Sequence, residues 1–430
     1  MTSQDALAAQ IALAEAAASA APAAAPTQPA RPVRFSGDSK AFWRLLLRGA
    51  VLLAVTLGIY RFWLATDVRR FLWSHTEIAG EGLEYNGTAA ELLVGFLIAI
   101  ALLVPINLGF FVLALGTAGE LFSVLGFPVL FVLGQFAVYR ARRYRLTRTV
   151  LRGVRFHQTG SAWRYALCAT FWWGLVVLTL GLAYPFMQAS LERYKMRHTF
   201  YGDLGGRFES SAGRLFARGV FMWLLVMAPL LIGIVGVLGN LDWETLGEAM
   251  SGSEPAMTRL MMSSGTQDAI ALGAVGIGAS IAFAMLLFPI FQAMVLRWWL
   301  SGIRFGDLTL RSHLLKRRIY GAYLRFLGYA VLFALAAAAV GFIGLTIFGL
   351  SPDGTGTEIA GTLASVALYV IVMLGFSTLY QATVRLALWR HGLESLEVEG
   401  LAVLESVKAA GEASSAVGEG LADALNVGGI

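Results

Sequence analysis

One cysteine, five histidines and a 14% share of charged side chains are all that 430 residues offer to conventional site chemistry. Cys168 stands alone in an apolar run, which excludes a disulfide framework and a thiolate metal site; its expected role is a small core residue. The histidines (His75, His157, His198, His313, His391) flank basic segments without ligand spacing, so no metal is expected. No HExxH, P-loop, GxSxG or paired-carboxylate arrangement occurs in a plausible setting, which argues against an enzyme and against a cofactor. Charge is also missing over long distances. No Lys or Arg lies between Arg70 and Arg140, from Gly219 to Thr258, or from Phe326 to Val384.

What is present is grease, at 57% of residues, with basic clusters at 31–48, 61–70, 140–164, 193–218, 297–325 and 385–390. A helix needs roughly 20 apolar residues to cross about 30 Å of hydrocarbon. Leu92–Leu115, Leu121–Tyr139, Val220–Leu238, Ala269–Leu296, Phe326–Leu350 and Ile359–Val384 qualify, giving six expected spans. The net charge of +6 does not imply nucleic acid, because the arginines sit beside Trp and Tyr at helix ends, as interfacial anchors do. Residues 1–33 are Ala/Pro-rich without the basic start of a signal peptide, and are expected to form a disordered tail. Residues 393–430 form an acidic tail with an amphipathic helix and a loose end.

A shift of 123 positions superimposes two segments. Thr56-Leu57-Gly58 falls on Thr179-Leu180-Gly181, Arg70 on Arg193, His75-Thr76 on His198-Thr199, Gly82 on Gly205, Ala89 on Ala212 and Leu92 on Leu215. These nine identities exceed the roughly two that ordinary residue frequencies give. The division is a first membrane repeat at 34–156, a second at 157–310 and a helical hairpin at 311–392. After each basic stretch comes a short β-leaning run, a turn and another run, as at Thr76–Ile78 with Leu83–Tyr85 and Thr149–Leu151 with Val154–Phe156. Weaker versions occur at Thr199–Phe208, Ile303–Leu310 and Leu393–Val403, with a remnant at Val33–Phe35. Irregular loops would give the same pattern by accident. If the hairpins are real they must pair with one another, because a lone hairpin is marginal in water.

Hairpins on one side require an even number of crossings between them. Segments 42–72 and 162–191 are too short for two. Gly49–Tyr60 holds twelve residues, about 18 Å of helix. One reading is a pair of broken, re-entrant elements that bend at Thr56/Gly58 and Thr179/Gly181, for eight elements in all. The other is eight simple spans, which would place one basic set outside, against the orientation rule. The expected class is therefore an all-α polytopic membrane protein with six full transmembrane helices, two short elements and small cytoplasmic β-hairpins. The acidic loop 240–268 and the Asp353/Glu358 turn belong on the outer face, and both termini are cytoplasmic.

Polar residues inside the membrane are neutral. Asn107 lies in one helix; Gln135, Gln188, Gln292 and Gln381 each precede an arginine by four or five residues. They either anchor helix turns or line a polar path. Arg140, Arg142, Arg143, Arg145 and Arg148 are candidates for contact with anionic headgroups or a partner protein. Gly273, Gly276 and Gly278 allow close helix packing.

The runs TLGIYRFWLATDVRRFLWSHTEIAGEGLEYNGTAAELLVGF, YRARRYRLTRTVLRGVRFHQTGS and LTLGLAYPFMQASLERYKMRHTFYGD, with the tail GEGLADALNVGG, resemble the YjgN family over about residues 35–425. That resemblance implies a multi-pass bacterial inner-membrane protein. The family is a domain of unknown function, and implies no reaction, ligand or catalytic residue. Two functions remain open: a channel or transporter for an unidentified solute, or a non-transporting scaffold or regulator that binds a partner or anionic lipid. A homo-oligomer is compatible with either.

Overall fold

The computed structural model describes residues 31–116, 119–252, 254–348, 355–411 and 415–425. The expectations for residues 1–30, for Asp353, for the side chain of Glu358 and for the last five residues lie outside the described residues.

The chain is built from out-and-back helical pairs joined by β-hairpins. The first pair is α1 (Ser39–Val55) and α2 (Arg61–Ser74), and the second is α3 (Ala89–Ala114) and α4 (Gly119–Thr147). The third is α5 (Ala162–Leu178) and α6 (Tyr184–Arg197). The fourth is α7 (Ala212–Asn240) and α10 (Ser264–Leu300), with the small helices α8 (Trp243–Met250) and α9 (Glu254–Met262) at their far end. The fifth is α11 (Lys316–Phe348) and α12 (Thr355–Tyr380), the latter running through a π-helical turn (Gln381–Arg385) into α13 (Leu386–Glu394). A last helix, α14 (Val417–Ala424), follows a 3-10 turn at Leu401–Glu405. Each helix packs on the next around the molecule, and α12 packs back on α1, so the pairs form a closed ring.

The strands form a second ring. Hairpins β3–β4 (Thr76–Ile78, Glu81–Tyr85), β5–β6 (Thr149–Leu151, Val154–Gln158), β7–β8 (Thr199–Tyr201, Leu204–Phe208) and β9–β10 (Ile303–Phe305, Leu308–Ser312) pair edge to edge. The register runs through Tyr85↔Thr149, Gln158↔Thr199 and Phe208↔Ile303. Strand β11 (Leu396–Glu399) follows, with Ser312↔Leu396. Closure comes from the N-terminal stretch. Its first half, β1 (Arg31–Pro32), pairs with β11, and its second half, β2 (Arg34–Phe35), pairs with β3. The eleven strand segments thus occupy one antiparallel sheet whose two ends meet in Arg31–Phe35. Closure removes the open edges on which other chains could add.

This corrects the all-α expectation. The hairpins do pair with one another, and the result is a continuous sheet of eleven segments rather than small separate hairpins on a helical protein. Strands of three and five residues carry too little alternation to announce a sheet, and the pairings that merge them join residues far apart in sequence. The two-residue turns are legible locally. Ala79-Gly80 and Arg152-Gly153 both take positive φ (57° and 86°, 51° and 75°), the geometry that matches strand twist in tight hairpins.

The span count also changes. Among the described residues five helices are long and apolar enough to cross a membrane: Ala89–Ala114, Ala212–Asn240, Ser264–Leu300, Lys316–Gly344 and Gly361–Glu394. They mark a membrane protein. The expected sixth span, Leu121–Tyr139, lies in α4. The side chains of residues 119–124 are outside the described set, and its last turns carry Arg140, Arg142, Arg143 and Arg145. The outer faces of these helices are apolar, with Phe111, Ile232, Val275, Met285 and Phe342 all more than half exposed. That pattern suits a hydrocarbon surround rather than water. Cys168 is exposed on α5, not buried in a core as expected.

Local chemistry explains the helix ends. Thr88, Ser161 and Ser211 each follow a hairpin and accept a backbone N–H from the first turn of the next helix. The imidazoles of His75 and His198 donate from Nδ1 to the carbonyls of Phe71 and Tyr194, at 2.7 and 2.8 Å, and so close the ends of α2 and α6. Helices α7 and α10 approach closely where Gly233 faces Gly276; a Cβ on Gly276 would come within 2.8 Å of the Gly233 Cα.

Candidate functional site

The sheet lies at one end of all five helical pairs, and each returning helix ends beside it. The last two turns of these helices bring their side chains to the axis of the ring. From α2 comes Arg69, which is 4% exposed and donates from Nη1 to the Tyr85 hydroxyl at 3.1 Å. From α4 come Arg142 and Arg145, and from α6 the ion pair Lys195–Glu192. Trp299 of α10 lies beside Glu192, and Arg385 of the π-helical turn lies within electrostatic reach of Arg69 and Arg145. Arg145 in turn feels Arg69, Arg142 and Lys195. Groups from all five pairs therefore converge, which only the axis of a ring permits.

The C-terminal helix completes the cluster. Glu419 of α14 pairs with Arg69 and lies 4.0 Å from the Nε of Arg145. One turn further on, Asp423 pairs with Arg61. Helix α14 is wedged against α3 and α4, where Leu421 and Ala422 pack on Ala99, Leu103, Ala137 and Ala141. Two glycines allow this depth. A Cβ on Gly420 would overlap the backbone of Gly95, and a Cβ on Gly418 would overlap Arg140. The chain leading to α14 runs along the hairpins: the Lys408 carbonyl accepts from Asp203 N at 3.1 Å, and Lys408 N donates to Asp203 Oδ1 at 2.9 Å. Further along, the Gly411 backbone lies against His157, whose ring stacks on Phe200 and whose pKa burial pushes below the usual histidine range.

Beside the cluster is a cavity of about 230 Å³, among whose lining residues are Arg61, Ser377, Thr378, Gln381, Arg385 and Asp423. The π-helical turn that carries Gln381 and Arg385 is a wide, rare geometry often found where a helix serves a site. Five cations (Arg69, Arg142, Arg145, Lys195, Arg385) thus surround two carboxylates (Glu192, Glu419). The Nε atoms of Arg69 and Arg142 and the Oε2 atoms of Glu192 and Glu419 are buried without a hydrogen-bond partner.

The residues singled out from sequence divide. Arg142 and Arg145 belong to the cluster. Arg143 donates to the Gly160 carbonyl, Arg148 pairs with Glu91 at 2.8 Å, and Arg140 backs Gly418, so these three face protein. Asn107 is exposed and bonds the Leu103 carbonyl of its own helix. Gln292 accepts from Tyr323 at 2.7 Å, Gln188 lies beside the Tyr184 hydroxyl, and Gln135 is half-buried on α4. These four do not converge. Thr56 and Thr179 sit in the turns at the far tips of the first and third pairs. Each donates to the carbonyl four residues back and accepts the N–H four residues on. Gly58 and Gly181 take φ of 94° and 95° there.

Sequence reasoning missed Arg69, Glu192, Lys195, Arg385, Glu419 and Asp423. One signal was available: Arg69 and Glu192 occupy equivalent places under the 123-residue shift, an opposite-charge exchange within a matched pair. Among the described residues no group of three His, Cys, Asp or Glu is placed to hold a metal.

A family model described as bacterial protein of unknown function (DUF898) matches residues 30–424, and the chain belongs to that family. No curated protein and no solved structure matches the chain.

Proposed function

We propose that this family member is a conduit or transporter whose pathway follows the axis of the helical ring. The observation that carries the reading is the convergence of charged side chains from four of the five helical pairs, with Trp299 from the other, on that axis, inside a ring whose outer face is apolar. Buried charged groups in a membrane protein are costly, and such groups typically face an interior that serves ions or solutes. The short pairs support it. Helices α1 and α2 hold 17 and 14 residues, about 25 and 21 Å of rise against roughly 30 Å of hydrocarbon. Pairs α1–α2 and α5–α6 then dip into the membrane from the sheet side and return, bending at Thr56–Gly58 and Thr179–Gly181. Their element bounds recur at the 123-residue spacing, as a parallel duplication would leave them. The basic sheet side faces the cytoplasm of a bacterial inner membrane under the positive-inside rule.

Reconstitution into liposomes tests the reading. Solute or ion flux above that of empty vesicles is expected, and flux equal to empty vesicles across a broad panel of solutes would sink it. Cysteines replacing Ser74 and Glu209, both exposed beside the sheet, should label from the cytoplasmic side only.

A second reading has its own observation. Arg193, Arg197, Arg207, Arg214, Arg218 and Arg297 are exposed near the sheet-side helix ends, a basic collar at headgroup level. As a scaffold the protein would hold anionic lipid there. Co-purified anionic lipid should fall when Arg193, Arg197 and Arg214 become Gln; unchanged retention would count against it.

A further inference from the structure

The axial cluster holds more positive charge than its own carboxylates balance, in a setting where an unbalanced charge is expensive. A site of this kind is completed by an anion. The structure also shows which anion geometry it accepts, because the protein supplies one. Glu419 and Asp423 are four residues apart on one face of α14, so their carboxylates lie about one helical turn, roughly 6 Å, from each other. The first meets Arg69 and Arg145, and the second meets Arg61 at the mouth of the cavity.

We propose that the axial cluster and adjoining cavity bind a small organic dicarboxylate, and that α14 occupies the same cations as a tethered plug. The assignment rests on the conduit reading for its role in transport, but not for binding itself. Arg69 and Arg145 take one carboxylate and Arg385, with Arg61 beside it, the other, while Gln381, Ser377 and Thr378 offer neutral hydrogen bonds along the wall. A carboxylate suits these partners because a guanidinium presents parallel donors to its two oxygens. The Nε of Arg69 and the Oε2 of Glu419 are both buried without a hydrogen-bond partner, so α14 fills the site without satisfying it as a carboxylate free to align with the guanidinium would. The Lys408–Asp203 bonds hold the chain ahead of α14, so the helix can leave the cluster and remain close enough to return.

Binding of radiolabelled succinate to the purified full chain in detergent tests this by equilibrium dialysis. Wild type should bind weakly, and Glu419→Gln/Asp423→Asn should bind at least 10-fold more tightly, since the internal competitor is neutralised without loss of shape. Adding Arg385→Gln to that variant should reverse the gain. In wild type, succinate should also speed tryptic release of the peptide beyond Lys408 as α14 is displaced. Affinities within twofold across wild type and the amide variant would overturn the plug, and inorganic phosphate competing as well as succinate would overturn the dicarboxylate class. If the amide variant fails to fold, Arg385→Gln in the wild-type background decides: succinate-accelerated release must be lost, and its persistence would overturn the site. Succinate binding without flux in liposomes would sink the conduit and leave this site standing. Flux without succinate binding would do the reverse.

Discussion

Replacement of Gly420 by Ala isolates the packing that seats α14. In an exposed helix this change is favourable by about 1 kcal/mol, because alanine loses less backbone entropy. Propensity alone therefore predicts a more firmly seated tail. The contact surface predicts the opposite. The new Cβ would overlap the Gly95 carbonyl and the Phe96 amide, backbone atoms that cannot rotate aside. Overpacking of this severity belongs at the upper end of its usual range, about 3 kcal/mol. Subtracting the propensity gain leaves roughly 2 kcal/mol against the docked state, or about a 30-fold rise in the undocked population. The cost cannot exceed that of full undocking, which exposes Leu421 (about 1.5–3 kcal/mol) and separates the buried Arg69–Glu419 pair (about 3–5 kcal/mol). Trypsin reads the population directly, since cleavage after Lys408 frees residues 409–430 only when the tail is loose. Release should be tens of times faster than in wild type. Gly239→Ala, where a Cβ meets nothing within 4 Å, serves as control and should release at the wild-type rate. A Gly420→Ala protein cleaved at or below the wild-type rate would refute the depth of insertion.

Three further outcomes follow from the same structure. Deleting residues 1–36 should open the strand ring, so hydrogen exchange should rise together in β3 and β11, although the two strands are far apart in sequence; unchanged protection in either would contradict closure. Thr56→Val and Thr179→Val each remove two hydrogen bonds at a helix-turn-helix tip and should lower stability by about 1 kcal/mol apiece, measured as paired shifts in thermal midpoint; a loss at one site without the other would break the equivalence of the turns. The folded state holds His157 neutral, its pKa lowered by burial, while the unfolded chain takes up a proton near pH 6.5. Its contribution is thus intact above that pH and is lost as the pH falls through it. The midpoint should drop between pH 7.5 and 5.5 by more in wild type than in His157→Asn, and equal drops would remove His157 as the cause.

Much of the outline was readable from residue order because it depends on local composition. Apolar length located five of the helices, and the Thr-Leu-Gly turns and positive-φ hairpin glycines stand where short-range chemistry requires them. The axial site was less legible. Arg142 and Arg145 were visible as part of a basic run, yet nothing local separates them from Arg143 and Arg148, which bond elsewhere. Glu419 and Asp423 read as an ordinary acidic tail until the Gly95–Gly420 contact carries them inside the ring.

The residue sequence by itself determined that this is a membrane protein with basic, hairpin-bearing turns, because solvent preference and turn geometry are properties of short stretches. Only the tertiary structure decided that the hairpins close into one sheet and that cations from four of the helical pairs meet the C-terminal helix on a common axis. Those are relations between residues distant in the chain, set by strand pairing and by which small side chains let helices approach.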